Sequence, residues 1–162
     1  MSNDHKAVFA SVYLGLGTNL GNREENMEMA IKKIEKQIGS IISQSAFYTS
    51  EPFGFESDNL FLNCAVEVTT RLLPSELLAE TQLIEKEMGR ANKSDATGYS
   101  DRIIDIDILF FSNEVICNST ELIVPHPQMQ DRDFVLNPVA EIAPNFVHPV
   151  LSKTITELLN EI

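Results

Sequence analysis

Positive charge is what this sequence has least of. Twelve Lys and Arg stand against 24 Asp and Glu in 162 residues, a formal net charge of -12. So acidic a chain has no overall field to attract nucleic acid or an anionic lipid surface, and neither is expected as a partner. Any phosphate it handles must be met by a local group of cations or by metal ions. Cysteine is scarce as well. Cys64 and Cys117 lie far apart and fit no metal-ligand spacing, which points to a reduced, cytoplasmic setting rather than a disulfide scaffold. No apolar run suits a membrane span or a signal peptide, because the stretch after the polar Met1–Lys6 is broken by Ser11, Gly15 and Gly17. Repeats, low-complexity tracts and Pro/Gly/Ser linkers are missing too. The length and the 43% hydrophobic content fit a single domain over 1–162.

What is there is a mixed order of strands and helices. Val8, Ala10, Val12, Leu14 and Leu16 alternate with other residues at the period of a strand that stops at glycines. After Gly21-Asn22, the stripe Met27, Ala30, Ile31, Ile34 and Ile38 predicts a helix ending near Gly39. Strand-like runs follow at 41–48 and 61–68. Pro74 opens a second helix with Leu77, Leu78, Ile84 and Met88 on its buried side, Gln82 and Glu85 on the other, and Gly89 as its cap. Residues 91–101 turn small and polar, as in an exposed, mobile loop. The strongest strand, 103–111, comes next, and a short extended piece at 122–124 runs into Pro125-His126-Pro127. This β-α-β-β-α-β order predicts an α+β, ferredoxin-like fold. Its sheet is mainly antiparallel, with helices packed on one face and C-terminal additions.

Within the strongest strand, Asp105 and Asp107 stand at i and i+2 and point to the same side. Strand rise sets their Cα atoms roughly 6.5 to 7 Å apart, so their oxygens can converge on a cation. Hard oxygen ligands of this kind suit Mg²⁺, which takes one or two carboxylates together with substrate phosphates. Alternation alone favours two ordinary aspartates on a solvated strand face. The basic residues around them, Arg90, Lys93, Arg102, His126 and Arg132, shift the balance toward a phosphate site. Segment 15–22 is glycine-rich but matches neither phosphate-binding fingerprint, so it reads as a tight turn from strand to helix. Phe53, Phe55, Phe61 and Phe134 could stack on a flat heterocycle or simply fill the core.

The chain from Val12 to Leu158 resembles the 6-hydroxymethyl-7,8-dihydropterin pyrophosphokinases of folate biosynthesis. The resemblance is carried by Gly15-x-Gly17-x-Asn19-Leu20-Gly21, Ser45-x-x-Tyr48, Glu51-Pro52-x-Gly54 and Phe61-Leu62-Asn63. It continues through Glu85-x-x-x-Gly89-Arg90, Arg102-x-x-Asp105-x-Asp107-x-Leu109, Val124-Pro125-His126-Pro127, Met129 and Arg132. It implies a ferredoxin-like fold and transfer of pyrophosphate from ATP, the co-substrate, to the hydroxymethyl oxygen of the pterin, releasing AMP. It also implies two magnesium ions held by Asp105 and Asp107, with Arg90 and Arg102 joining that pair in catalysis. Gln82, Glu85, Arg90, Lys93, Arg102, Ile108, His126 and Arg132 are the implied ATP contacts. Ser50, Phe53, Phe61, Asn63 and Phe134 are the implied pterin pocket. A monomer is expected. The rival reading is a non-catalytic ferredoxin-like module that senses nucleotide and metal; an aromatic pocket with Asn63 beside the carboxylates would separate the two.

Overall fold

The computed structural model describes residues 8–52, 57–89, 101–118 and 121–162. Its elements are β1 (Ala10–Thr18), α1 (Arg23–Gln37), β2 (Gly39–Gln44), β3 (Tyr48–Ser50), β4 (Phe61–Thr70), α2 (Pro74–Glu87), β5 (Asp105–Phe111), β6 (Ile116–Cys117), β7 (Ile123–Val124), α3 (Asp133–Ile142) and α4 (Ile155–Asn160). The main sheet runs β2-β4-β1-β5, with β3 also on β4, and all of these pairs are antiparallel. This is the expected ferredoxin-like order.

Local chemistry explains the element boundaries. Asn22 accepts a hydrogen bond from Glu25 N (3.1 Å) and caps α1. At the far end of α1 the chain enters β2 without a loop. A Cβ on Gly39 would lie 2.0 Å from Thr69 O, so only glycine lets the backbone pass this close to β4.

Four expectations need correcting. β1 starts at Ala10, and Val8 and Phe9 are exposed. Gly15 and Gly17 do not form the turn into α1; both are paired residues of β1, and the turn falls at 19–22 around Gly21 (φ 68°). The run 41–48 is two short strands. They are separated where Ser45 turns inward and accepts from Ala65 N (2.9 Å). Finally, Glu85 lies on the buried side of α2 with Leu77, Thr81 and Ile84, because that row of the helix looks onto β5.

Alternation along the strands divides the interior in two. Val12, Leu14, Leu16, Ile106 and Ile108 pack toward Met27, Ala30 and Ile34 of α1 and Leu77 and Ile84 of α2. Tyr13, Ala65, Leu109 and Phe110 pack on the opposite face against Leu136 and Val139 of α3 and Ile155 and Leu158 of α4. The C-terminal additions therefore roof the second face of the sheet. A β-bulge in β5 adjusts the match: pairing passes from Leu14↔Ile108 to Tyr13↔Phe110. Leu109 is the extra residue, so Leu109 and Phe110 both turn to the α3 side.

Candidate active site

The strand register fixes the site. Asp107 lies opposite Gly15, Asp105 opposite Gly17, and Gly17 opposite Asn63. Directly opposed residues of antiparallel strands share a face, so both aspartates and Asn63 look to the α3 side. There α3 leaves part of the sheet open. Arg102, Asp105 and Asp107 form one wall of the resulting cavity, and Ser50, Phe61 and Asn63 form the other. Arg132 and Phe134 reach in from the start of α3. A Cβ at Gly17 would lie 3.4 Å from Asn63 Oδ1 and 3.5 Å from Phe61 Cδ1. Glycine thus keeps the floor clear between the carboxylates and the aromatic wall.

Asn63 is held in one orientation. Its Nδ2 donates to Tyr48 O (3.2 Å) and Ser50 Oγ (2.7 Å), which uses both amide hydrogens and leaves Oδ1 as an acceptor. β3 is fixed in turn by Glu141 of α3, which accepts from Tyr48 Oη (2.5 Å) and from Ala46 N (3.1 Å). The wall of Ser50, Phe61 and Asn63 is therefore tied to the roof, α3, by hydrogen bonds.

A second cavity lies across Asp107, lined by Leu78, Ile106, Ile108, His126 and Pro127 among others. Asp107 borders both cavities. His126 N donates to Leu109 O (3.0 Å), and its Nδ1 accepts from Gln128 N (3.2 Å). A neutral ring with that bond carries its proton on Nε2. Burial, followed by the charge of Arg132, pushes the His126 pKa down to about 4 against the opposite pull of Asp105. Glu85 is buried and accepts from Ile106 N (2.8 Å), closing the outer edge of β5. Gln82 is exposed one turn earlier on α2. The Arg132 guanidinium lies 5.9 Å from the Phe134 ring centre and donates to Gln128 Oε1.

The structure thus gathers Ser50, Phe61, Asn63, Arg102, Asp105, Asp107, Arg132 and Phe134 around one cavity and brings Ile108 and His126 to the adjoining one. Phe53, Arg90 and Lys93 fall outside the described residues, as does the expected mobile loop up to residue 100. Sequence reasoning missed Glu141 and left Asn19, though part of a quoted motif, without a role. Asn19 is buried and bonds to both ends of the site. Its only signal was its place after two strand glycines.

The donor set also limits the chemistry. Among the described residues no group of three or more His, Cys, Asp and Glu could hold a metal by itself. Cys64 borders the first cavity, but burial raises its thiol pKa to about 11, so it is not poised as a nucleophile. Among the described residues no helix is long and apolar enough to cross a membrane.

Known proteins are similar to this chain in sequence and in fold. A family described as 7,8-dihydro-6-hydroxymethylpterin-pyrophosphokinase (HPPK) matches residues 13–144. A Porphyromonas gingivalis protein named 2-amino-4-hydroxy-6-hydroxymethyldihydropteridine pyrophosphokinase is 46% identical over 140 residues, covering 86% of this chain and 95% of its own. One of the same name from Aquifex aeolicus is 42% identical over 153 residues, covering 94% of this chain and 92% of its own. The wild-type Plasmodium falciparum HPPK-DHPS crystal structure superposes with a TM-score of 0.76. It covers 95% of this chain and 45% of that one, and at 20% identity it speaks for the fold alone. The sequence match, which spans most of the chain and more than nine-tenths of these two relatives, decides the matter: the chain belongs to the 7,8-dihydro-6-hydroxymethylpterin-pyrophosphokinase family.

Proposed function

We propose that this protein transfers pyrophosphate from ATP to the hydroxymethyl group of 6-hydroxymethyl-7,8-dihydropterin in folate biosynthesis. One observation carries the reading: Asp107 borders two adjoining cavities, one walled by aromatic rings and Asn63 and the other flanked by His126. A transferase needs donor and acceptor sites that meet at the reacting atoms. The sensor alternative would need only one ligand site, and nothing favours it.

In this reading Phe61 and Phe134 stack on the pterin rings, and Asn63 Oδ1 accepts a hydrogen bond from a ring N–H or amino group. Ser50 completes that wall. The triphosphate lies toward His126, with Arg102 and Arg132 neutralising its oxygens and Arg90 and Lys93 added from the segment before β5. Ile108 borders the nucleotide side, and Gln82 and Glu85 of α2 are assigned to the nucleotide on the family likeness. The hydroxymethyl oxygen attacks the β-phosphorus, the bond to the α-phosphate oxygen breaks, AMP leaves, and the hydroxyl proton is lost to solvent. Asp107, which borders both cavities, is assigned a minor role in polarising that hydroxyl. Such transfers need little covalent help, so alignment and charge neutralisation by these side chains supply most of the rate.

Asp105 and Asp107 would hold magnesium. The fit is chemical: two hard carboxylates on one rigid strand, without a third protein ligand among the described residues, suit an ion that arrives with phosphates and keeps waters. Once bound, the ions supply charge stabilisation on the phosphate oxygens. We read the protein as cytoplasmic on its two free cysteines and as a monomer on its family likeness, and gel filtration tests the second. Incubation with Mg²⁺, ATP and the hydroxymethyl-dihydropterin should yield AMP and the pterin diphosphate; ADP as product, or intact substrates, would refute the proposal.

A further inference from the structure

One group of contacts lies between the two walls of the cavity. Asn19, 2% exposed, stands at the end of β1. Its backbone N–H donates to Arg102 O (2.9 Å), and its Oδ1 accepts from Arg102 N (2.6 Å). This two-point clamp fixes the backbone of Arg102, which lines the cavity together with the carboxylates. Its Nδ2 donates to Asp101 Oδ1 (2.7 Å) and to Asn59 O (3.3 Å), so Asn19 has used both amide hydrogens and its carbonyl oxygen. Asp101 Oδ2 closes the ring by accepting from Asn59 Nδ2 (3.3 Å). Asn59 lies two residues before Phe61, and the intervening Leu60 O is held by Arg23 Nη1 (2.9 Å).

We propose that Asn19 is a positioning residue that couples the two substrate sites. Arg102 on the phosphate side and the segment leading to Phe61 on the heterocycle side are held by the same buried amide. Ordering either one by its ligand therefore removes part of the cost of ordering the other, which is positive coupling between ligands. The proposal rests on the transfer reading for the identity of its two ligands. It differs from a purely structural role, in which Asn19 would add stability without linking one affinity to the other.

The test is a thermodynamic cycle on the full chain. The dissociation constant of hydroxymethyl-dihydropterin is measured by calorimetry with and without Mg²⁺ and a non-hydrolysable ATP analogue, and the ratio of the two reports coupling. The native protein should show a ratio of about tenfold or more, in the usual range for linked sites. Asn19→Ala should bring it to within about twofold of unity, while the affinity for each ligand alone changes far less. Asp101→Ala removes only the bridge, at a partly exposed position, and should give an intermediate ratio. A native ratio of one, or a native-like ratio in either variant, overturns the proposal. Should Asn19→Ala not fold, Asp101→Ala decides alone. A native enzyme that forms AMP while the variants keep its ratio refutes the coupling only; a native protein without AMP formation refutes the transfer reading first.

Discussion

Asp105 and Asp107 at the start of β5, and Leu109 and Phe110 toward its end, project onto the same face of the sheet. They meet different neighbours on β1. The aspartates face Gly17 and Gly15, which leave space, whereas Phe110 faces Tyr13 and meets its ring edge-on at 6.0 Å. Above them α3 differs as well, offering Arg132 and Phe134 at its start and Leu136 and Val139 farther along. The bulge at Leu109 sets the border: two consecutive side chains turn to one face, so packed core begins directly after the last carboxylate. A rigid, close-packed half thus anchors a half kept open for ligands, and the two should respond to substitution in opposite ways.

The largest effect should come from the open half. Asp105→Ala or Asp107→Ala should lower kcat by 10²-fold or more, on the order of what one electrostatic group contributes, while thermal unfolding stays near native. A comparable loss of stability would erase the contrast. In the packed half, Leu109→Ala should cost about 3 kcal/mol in urea unfolding, with kcat of the folded fraction close to native. Glu141→Gln sits between the halves. It weakens the bonds to Tyr48 and Ala46, so it should cost about 1 kcal/mol and raise KM for the pterin more than KM for ATP. Equal changes in both constants would remove Glu141 from the pterin wall.

The last prediction concerns pH. His126 and His148 both back the packed half: one donates its N–H to Leu109 O, and the other stands edge-on to Phe110 at 5.5 Å. Burial lowers the pKa of both, to about 4 for His126. Below the ordinary value of 6.5 the unfolded chain binds protons that the folded chain refuses, so stability falls as pH drops from 6.5 toward 4. NMR should find the His126 ring titrating near pH 4, and His148→Asn should flatten the stability slope in this window.

Much of this contrast was legible in the sequence, and the failures share a cause. The i, i+2 aspartates could be read because strand alternation is local. Glycines 15 and 17 read as a turn because their reason for being glycine lies on β4 and β5, far away in sequence. The stripe of α2 is Leu77, Thr81, Ile84, Glu85, a regular buried face, but a threonine and a carboxylate disguise it. The edge amide of Ile106, out of reach of any local pattern, gives the carboxylate a partner there. The break between β2 and β3 was likewise invisible, since it depends on Ser45 meeting Ala65 across the sheet.

Asn63 gives both its hydrogens to the protein, so a lone pair is all its side chain can offer a bound ring. A heterocycle that turned its own lone pair toward this oxygen would be repelled, and one that turned an N–H would be welcomed. Under the proposed function, discrimination between ring systems would be set from behind the wall, by the main-chain oxygen of Tyr48 and the hydroxyl of Ser50 that hold this amide.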